Sequence, residues 1–313
     1  MKKYTLLVLL CLSLFSQISW AEDIAYLLTA SSKGDISTVK AMLQSGVNPN
    51  TKDQDGITAL MYAARKDEAA VVALLISKGA EVNAKDNGGW TPLMFAAKRD
   101  HIETMRILLK NDADPKVRDP SGWSAFGMAA TSGHSDSVEL MLNHGVDANS
   151  SSDAGKTALM YAAKSGDLAT VKVLIKSGAD SNLRDRQGAT AMIYAARKGH
   201  ASVVKHLIDQ GANANTEDNA EWTALTWAIK KTQPAPAKVL IENGANINHK
   251  DAEGTPILQL AVDNNSVELV KLLLANKANL KARDKYGLTA YVYALKKGNP
   301  EIVKLIKDAG GKY

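Results

Sequence analysis

The side chains that could do chemistry are few, and each has a competing structural role. "GWSAFG" at residues 122–127 nearly spells the G-x-S-x-G turn that presents a nucleophilic serine, but its second glycine comes one residue late and no strand precedes it. Ser124 instead occupies a slot that neighbouring segments fill with threonine, the position of a helix cap. His101, His134 and His200 share one slot of a recurring pattern and read as structural, while His144, His206 and His249 are isolated. His200 and His206 are six apart, not the three or four that set two metal ligands on one helical face. Asp53, Asp86, Asp119, Asp185, Asp251 and Asp284 recur as turn residues, so no carboxylate pair is singled out for acid–base work. No G-x-x-x-x-G-K-[ST] phosphate cradle occurs. An enzyme would need residues that break the regular pattern and converge. None is visible, so the sequence predicts no catalysis, no cofactor and no bound metal.

The chain starts "MKKYTLLVLLCLSLFSQISWAED". Two lysines, an apolar run from Leu6 to Phe15 and small residues at Ser19 and Ala21 predict a secretory signal peptide over residues 1–21, cleaved after Ala21. The apolar run is too short for a membrane anchor, which needs about 20 such residues. Cys11 is the only cysteine, and Leu10 precedes it where a lipoprotein site wants a small residue. Cleavage would remove it, leaving no disulfide, thiolate nucleophile or cysteine ligand. It would also lower the formal charge from +5 to +3, too mild to imply nucleic acid. No later stretch is long or apolar enough to insert in a membrane, and about 290 residues bury ample apolar surface by packing alone.

What must position any functional side chain is a repeat. "GITALMYAARK" at 56–66 returns as "GKTALMYAAKS" at 155–165, ninety-nine residues on, and ninety-nine is three periods of thirty-three. Ala30, Ala63, Ala96, Ala129, Ala162, Ala195, Ala228, Ala261 and Ala294 fill every slot of one column. A second column is Gly56, Gly89, Gly122, Gly155, Gly188, Glu221, Gly254 and Gly287. "KDQDG" and "RDRQG" are turn chemistry. Thr58 or Thr91 then caps a short helix, with Pro92 at a first helical position. A second helix such as "TVKVLIK" follows and stops at Gly79, Gly145, Gly178, Gly211 or Gly244. The unit is a hairpin turn plus an antiparallel helix pair.

The sequence resembles the ankyrin-repeat family. "DNGGWTPLMFAAKRDHIETMRILLKNDADPK" at 86–116 follows the family's T-P-L-H-x-A pattern except for Met94 in the histidine slot. The resemblance covers residues 22–313 and implies one ankyrin-repeat domain: an all-α repeat solenoid of nine units, with hairpins and first helices lining a concave side. Its ends read as caps, Thr29 replacing an aromatic and Lys307 a buried aliphatic.

Three columns stand out against this frame. Tyr62, Phe95, Met128, Tyr161, Tyr194, Trp227, Leu260 and Tyr293 form a stripe that reads as packing between units. The slot before the helix cap holds Ile57, Trp90, Trp123, Lys156, Ala189, Trp222, Thr255 and Leu288. It varies too freely for the fold to dictate it, and in ankyrin proteins it lies on the hairpin, facing the concave side. Trp90, Trp123 and Trp222 are therefore expected as exposed anchors for a partner, joined by Lys156. Basic residues end the first helices: Arg65, Lys66, Lys98, Arg99, Lys164, Arg197, Lys198, Lys230, Lys231, Lys296 and Lys297. They read either as solvated complements of the helix dipole or as a basic rim that attracts an acidic partner.

One unit is irregular. Glu221 replaces the turn glycine, and Pro234 and Pro236 enter the start of the second helix, so the connection before it is expected to differ in shape. Taken together, the sequence predicts a non-enzymatic protein, monomeric when free, that binds a partner protein in the periplasm. An inhibitor, self-protection factor or stabiliser of a cell-wall enzyme is the concrete form. A secreted effector that binds a host or prey protein, and a binder of anionic lipid or wall polymer, are the alternatives.

Overall fold

A computed structural model describes residues 23–312, so the predicted signal peptide lies outside the described residues. The chain divides into two compact units, Met1–Val146 and Asp147–Tyr313. In the first, α1 (residues 23–32) and α2 (Ile36–Gln44) precede α3 (Ala59–Lys66), α4 (Ala69–Ser77), α5 (Pro92–Ala97), α6 (Ile102–Lys110), α7 (Ala125–Ser132) and α8 (Ser135–Asn143). The second holds α9 (Ala158–Ser165), α10 (Leu168–Lys176), α11 (Ala191–Lys198), α12 (Ala201–Asp209) and α13 (Ala224–Lys230). It continues with α14 (Pro234–Glu242), α15 (Ile257–Asp263), α16 (Val267–Ala275), α17 (Ala290–Lys297) and α18 (Pro300–Asp308). From α3 onward each odd-numbered helix packs on the even-numbered helix after it and on the next odd-numbered helix of its unit. Both units are thus all-α repeat stacks of helix pairs.

Such short helices depend on their ends. The Oγ1 atoms of Thr58, Thr91, Thr157, Thr190 and Thr223 accept the N–H three residues on. Ser124 does the same for Gly127, which accounts for the hydrolase-like string. Every alanine of the invariant column is buried, which lets neighbouring first helices approach closely. Before each cap the chain makes a tight turn rather than a strand. Among the described residues only isolated bridges form, such as Lys52 to Thr58 and Arg283 to Thr289.

Neighbouring repeats are also stitched by polar groups. Asn50 donates to the Gly79 carbonyl and accepts the Glu81 N–H, and Asn149 repeats this with Gly178 and Asp180. His101 reaches the Ala64 carbonyl at 3.0 Å, and His200 the Lys164 carbonyl at 3.1 Å. These histidines are ties between repeats, each at the N-cap of a second helix.

The irregular unit corrects one expectation. Its connection keeps the left-handed residue that Gly199 supplies one period earlier at φ +89°, but places Thr232 there at φ +53°. Glu221 likewise takes the left-handed turn conformation of its glycine column, at φ +58°. The path is retained because the flanking helices pack as elsewhere, and the departure is held as backbone strain.

Candidate functional site

The hairpin aspartate organises the surface around it. In the repeat of α13, Asp218 Oδ1 accepts the N–H groups of Ala220 at 2.9 Å and Trp222 at 3.0 Å, which sets the hairpin and the Trp222 backbone. Its Oδ2 accepts Trp227 Nε1–H at 2.7 Å, from the first helix of the same repeat. One carboxylate therefore fixes both tryptophans, and their rings meet with centroids 4.7 Å apart. The same node recurs: Tyr62 donates to Asp53 at 2.9 Å, Tyr194 to Asp185 at 2.6 Å, and Tyr293 to Asp284. Burial first, then the Asp53 or Asp185 carboxylate, pushes the Tyr62 and Tyr194 phenols above their ordinary range. For Tyr293 the hydrogen bond to Asp284 is the larger cause of the same shift.

Cations complete the arrangement. The Arg197 guanidinium, on the preceding first helix, lies 4.4 Å from the Trp227 ring centroid. Lys231 stands 5.9 Å from the same ring, and Lys230 5.8 Å from Trp222. Lys156 on its hairpin reaches the Tyr194 ring of the next repeat at 5.4 Å. The first unit has a smaller version, with Arg65 at 4.7 Å over Tyr62 and Trp90 against Phe95 at 5.2 Å. Such pairs tie a flexible cation to an aromatic face without neutralising it.

The repeat geometry agrees with a comparison against family profiles: one described as ankyrin repeats (3 copies) matches residues 27–119, 112–185, 177–251 and 237–312. The chain belongs to the ankyrin-repeat family. A comparison with curated proteins finds no match. Ankyrin repeats are a protein–protein interaction module and in general a binding scaffold rather than a catalyst, so the face built by hairpins and first helices is the candidate interface.

Two expectations are corrected on this ankyrin face. The aromatic stripe is not uniformly core: Met128, Tyr194 and Leu260 are buried, but Tyr62, Phe95, Tyr161, Trp227 and Tyr293 are only half-buried. The hairpin tryptophans are not fully exposed either, since Trp90, Trp123 and Trp222 are each half-buried. The reason is the five-residue offset between the two columns, which lays the hairpin ring of Trp90 or Trp222 against the helix ring above it.

Of the basic residues, Arg65, Arg197, Lys156, Lys230 and Lys231 join aromatic rings, as does Lys296 over Tyr293. Lys66, Lys98, Arg99, Lys164 and Lys198 are exposed, and their side chains make no ion pair or ring contact among the described residues. The described residues hold no cluster of three or more His, Cys, Asp or Glu side chains placed for a metal, and no helix long and apolar enough to cross a membrane.

Sequence reasoning passed over a recess of about 350 Å³ in the second unit, lined by Trp222, Lys230, Gln259, Asp263, Asp284 and Tyr293 among others. Burial holds the Asp263 carboxyl above the usual carboxylate range, with Lys297 and Lys230 pulling the other way. Asp284 differs. Burial pushes its carboxyl up, but hydrogen bonds from Tyr293, from the Leu288 and Tyr286 N–H groups and from Gln259 together outweigh that and leave it below the usual range.

Proposed function

We propose that the protein is an exported, non-enzymatic binding protein that holds a partner protein against the hairpins and first helices of its repeats. One observation carries this reading: Trp222 and Trp227 meet in a tilted ring pair, anchored to Asp218 and overlaid by Arg197, Lys230 and Lys231, yet both remain half-exposed. A half-exposed aromatic pair held rigid by its own scaffold loses little side-chain freedom on binding, which suits an interface hot spot. The surrounding cations favour a partner with an acidic patch and speed its encounter. Trp90 and Trp123, on their own hairpins, are further anchors. The leader-like first 21 residues support the periplasm as the place of action, with an exported cell-wall enzyme as the partner it inhibits or stabilises.

Affinity capture from the periplasm with the wild-type protein and with Trp222→Ala tests the interface. A partner retained by the first and lost from the second is the expected result. A partner retained equally by both sinks the proposed interface. Intact mass of protein from its native host tests export, since processing after Ala21 yields a chain starting at Glu22. A full-length cytoplasmic species removes the periplasmic reading.

A further inference from the structure

The repeat of α15 departs from its neighbours at three slots that converge on one recess. Gln259 stands where Met61, Met94, Met160 and Ile193 are apolar and where the one other polar group, Thr226, is partnered by Thr223 at 3.0 Å; Leu260 stands where Tyr194, Trp227 and Tyr293 are aromatic, and Asp263 where Arg197, Lys230 and Lys296 are basic. Each departure leaves an acceptor without a donor. Gln259 is 4% exposed and donates from Nε2 to Asp284 Oδ2 at 3.3 Å, and its Oε1 has no partner among the described residues. An unpartnered buried carbonyl of this kind costs stability, and the apolar residues of the same column show that the fold does not require it.

Leu260 cannot supply the phenol or indole donor that Asp185, Asp218 and Asp284 each receive. Among the described residues the Asp251 carboxylate therefore keeps only the Glu253 and Thr255 N–H groups, both on Oδ1. Asp263 makes no hydrogen bond and no ion pair within 4 Å among the described residues, and Lys230 and Lys297 act on it only through their charge. Lys285, the other cation of the recess, is already paired with Glu253 at 3.2 Å. The lining thus sets the carboxylates of Asp251, Glu253, Asp263 and Asp284 against the two lysines, beside the rings of Trp222, Tyr286 and Tyr293, each with a lysine within 6 Å of its centroid.

We propose that this recess is a subsite for an arginine side chain of the bound partner, its guanidinium donating to Gln259, Asp251 and Asp263 and lying against the aromatic walls. A guanidinium is planar, carries five N–H donors and stacks on aromatic faces, so it meets several separated acceptors at once where an ammonium meets fewer. A volume of about 350 Å³ lies at the small end of ligand pockets and admits an arginine side chain. The subsite rests on the protein-binding reading and adds to it an acidic notch in an otherwise basic face, which fixes the register of the partner.

The test uses N-acetyl-arginine amide as probe, with N-acetyl-glutamate amide and N-acetyl-norleucine amide as controls, followed by amide NMR shifts and by fluorescence. Saturable shifts at Tyr286 and Tyr293 with a Kd of roughly millimolar size, absent with both controls, are expected. Gln259→Met and Asp263→Lys each restore the residue type of their own column and so keep the fold. Each should weaken the arginine probe at least about tenfold, which is about 1.4 kcal/mol. No shift with the arginine probe, equal shifts with a control, or wild-type affinity in both variants overturns the subsite. Because the probe needs no partner, these outcomes stand apart from the Trp222→Ala capture: failure of the probe leaves the interface intact, and failure of the capture leaves the recess to be judged alone.

Discussion

Asp218 binds Trp227 by its indole at 2.7 Å through one carboxylate oxygen and Trp222 by its backbone at 3.0 Å through the other. Turn geometry and surface presentation are therefore one interaction. Asp218→Ala is expected to cost about 1.5–3 kcal/mol, the range for hydrogen bonds to a charged group, while freeing both rings. A thermal melt reads the first effect, and a red-shifted, less polarised tryptophan emission the second. A variant that melts lower with unchanged emission would show that Asp218 serves the turn alone.

Exposure of the paired rings separates their roles. Trp227 is half-buried and hydrogen-bonded, so Trp227→Ala should cost less than the roughly 3–5 kcal/mol of a fully buried aromatic, about 2 kcal/mol. Trp222→Ala, which removes a side chain with no hydrogen bond to the hairpin aspartate, should cost about 1 kcal/mol, the size of an aromatic pair contact. Against a captured partner the order should reverse, with Trp222→Ala losing about 2 kcal/mol of affinity, near thirtyfold. Chemical melts and titrations of both variants decide this, and equal binding losses would refute the division of labour.

Left-handed Glu221 and β-branched Thr232, at slots that the other units fill with Gly, Asp or Asn, mark the unit of α13 and α14 as the weak link. Glu221→Gly relieves a left-handed conformation at φ +58° and should raise stability by about 1 kcal/mol, less the entropy glycine adds to the unfolded chain. Hydrogen exchange should be faster across residues 230–237 than across 164–170 in the wild type. Equal protection of the two segments, or a destabilised Glu221→Gly, contradicts the assignment.

Asp263 gives a pH signature. Its folded pKa is raised by burial above the ordinary 3.8, so the folded state holds the proton more tightly than the unfolded state does. Ionisation then costs stability at neutral pH, and the cost disappears as pH falls through the raised folded value toward the unfolded one. Asp263→Asn should therefore melt higher than wild type at pH 7, with the difference closing as pH approaches the unfolded value. A difference that stays constant down to that pH would mean that Asp263 is not desolvated.

The sequence alone determined the architecture, because a repeat states its own period. Each unit packs only on its neighbours, so the alanine column, the threonine caps and the turn glycines each specify local structure that copying then extends. The same logic made Ser124 legible as a cap and His200 as structural, though only the fold showed His200 tying two repeats together. Only the tertiary structure showed that the hairpin tryptophans, the helix aromatics and the basic helix ends are one network. Those columns are separated by five residues along the chain or lie on neighbouring repeats, and only packing turns that spacing into a ring pair 4.7 Å apart or a cation 4.4 Å from a ring. The recess shows the division most sharply. Gln259, Leu260 and Asp263 were always visible as departures from their columns, but a departure has no chemical meaning until the side chains around it are known. Burial, which sequence spacing does not measure, is what leaves Gln259 Oε1 without a partner beside the acidic group of Asp263.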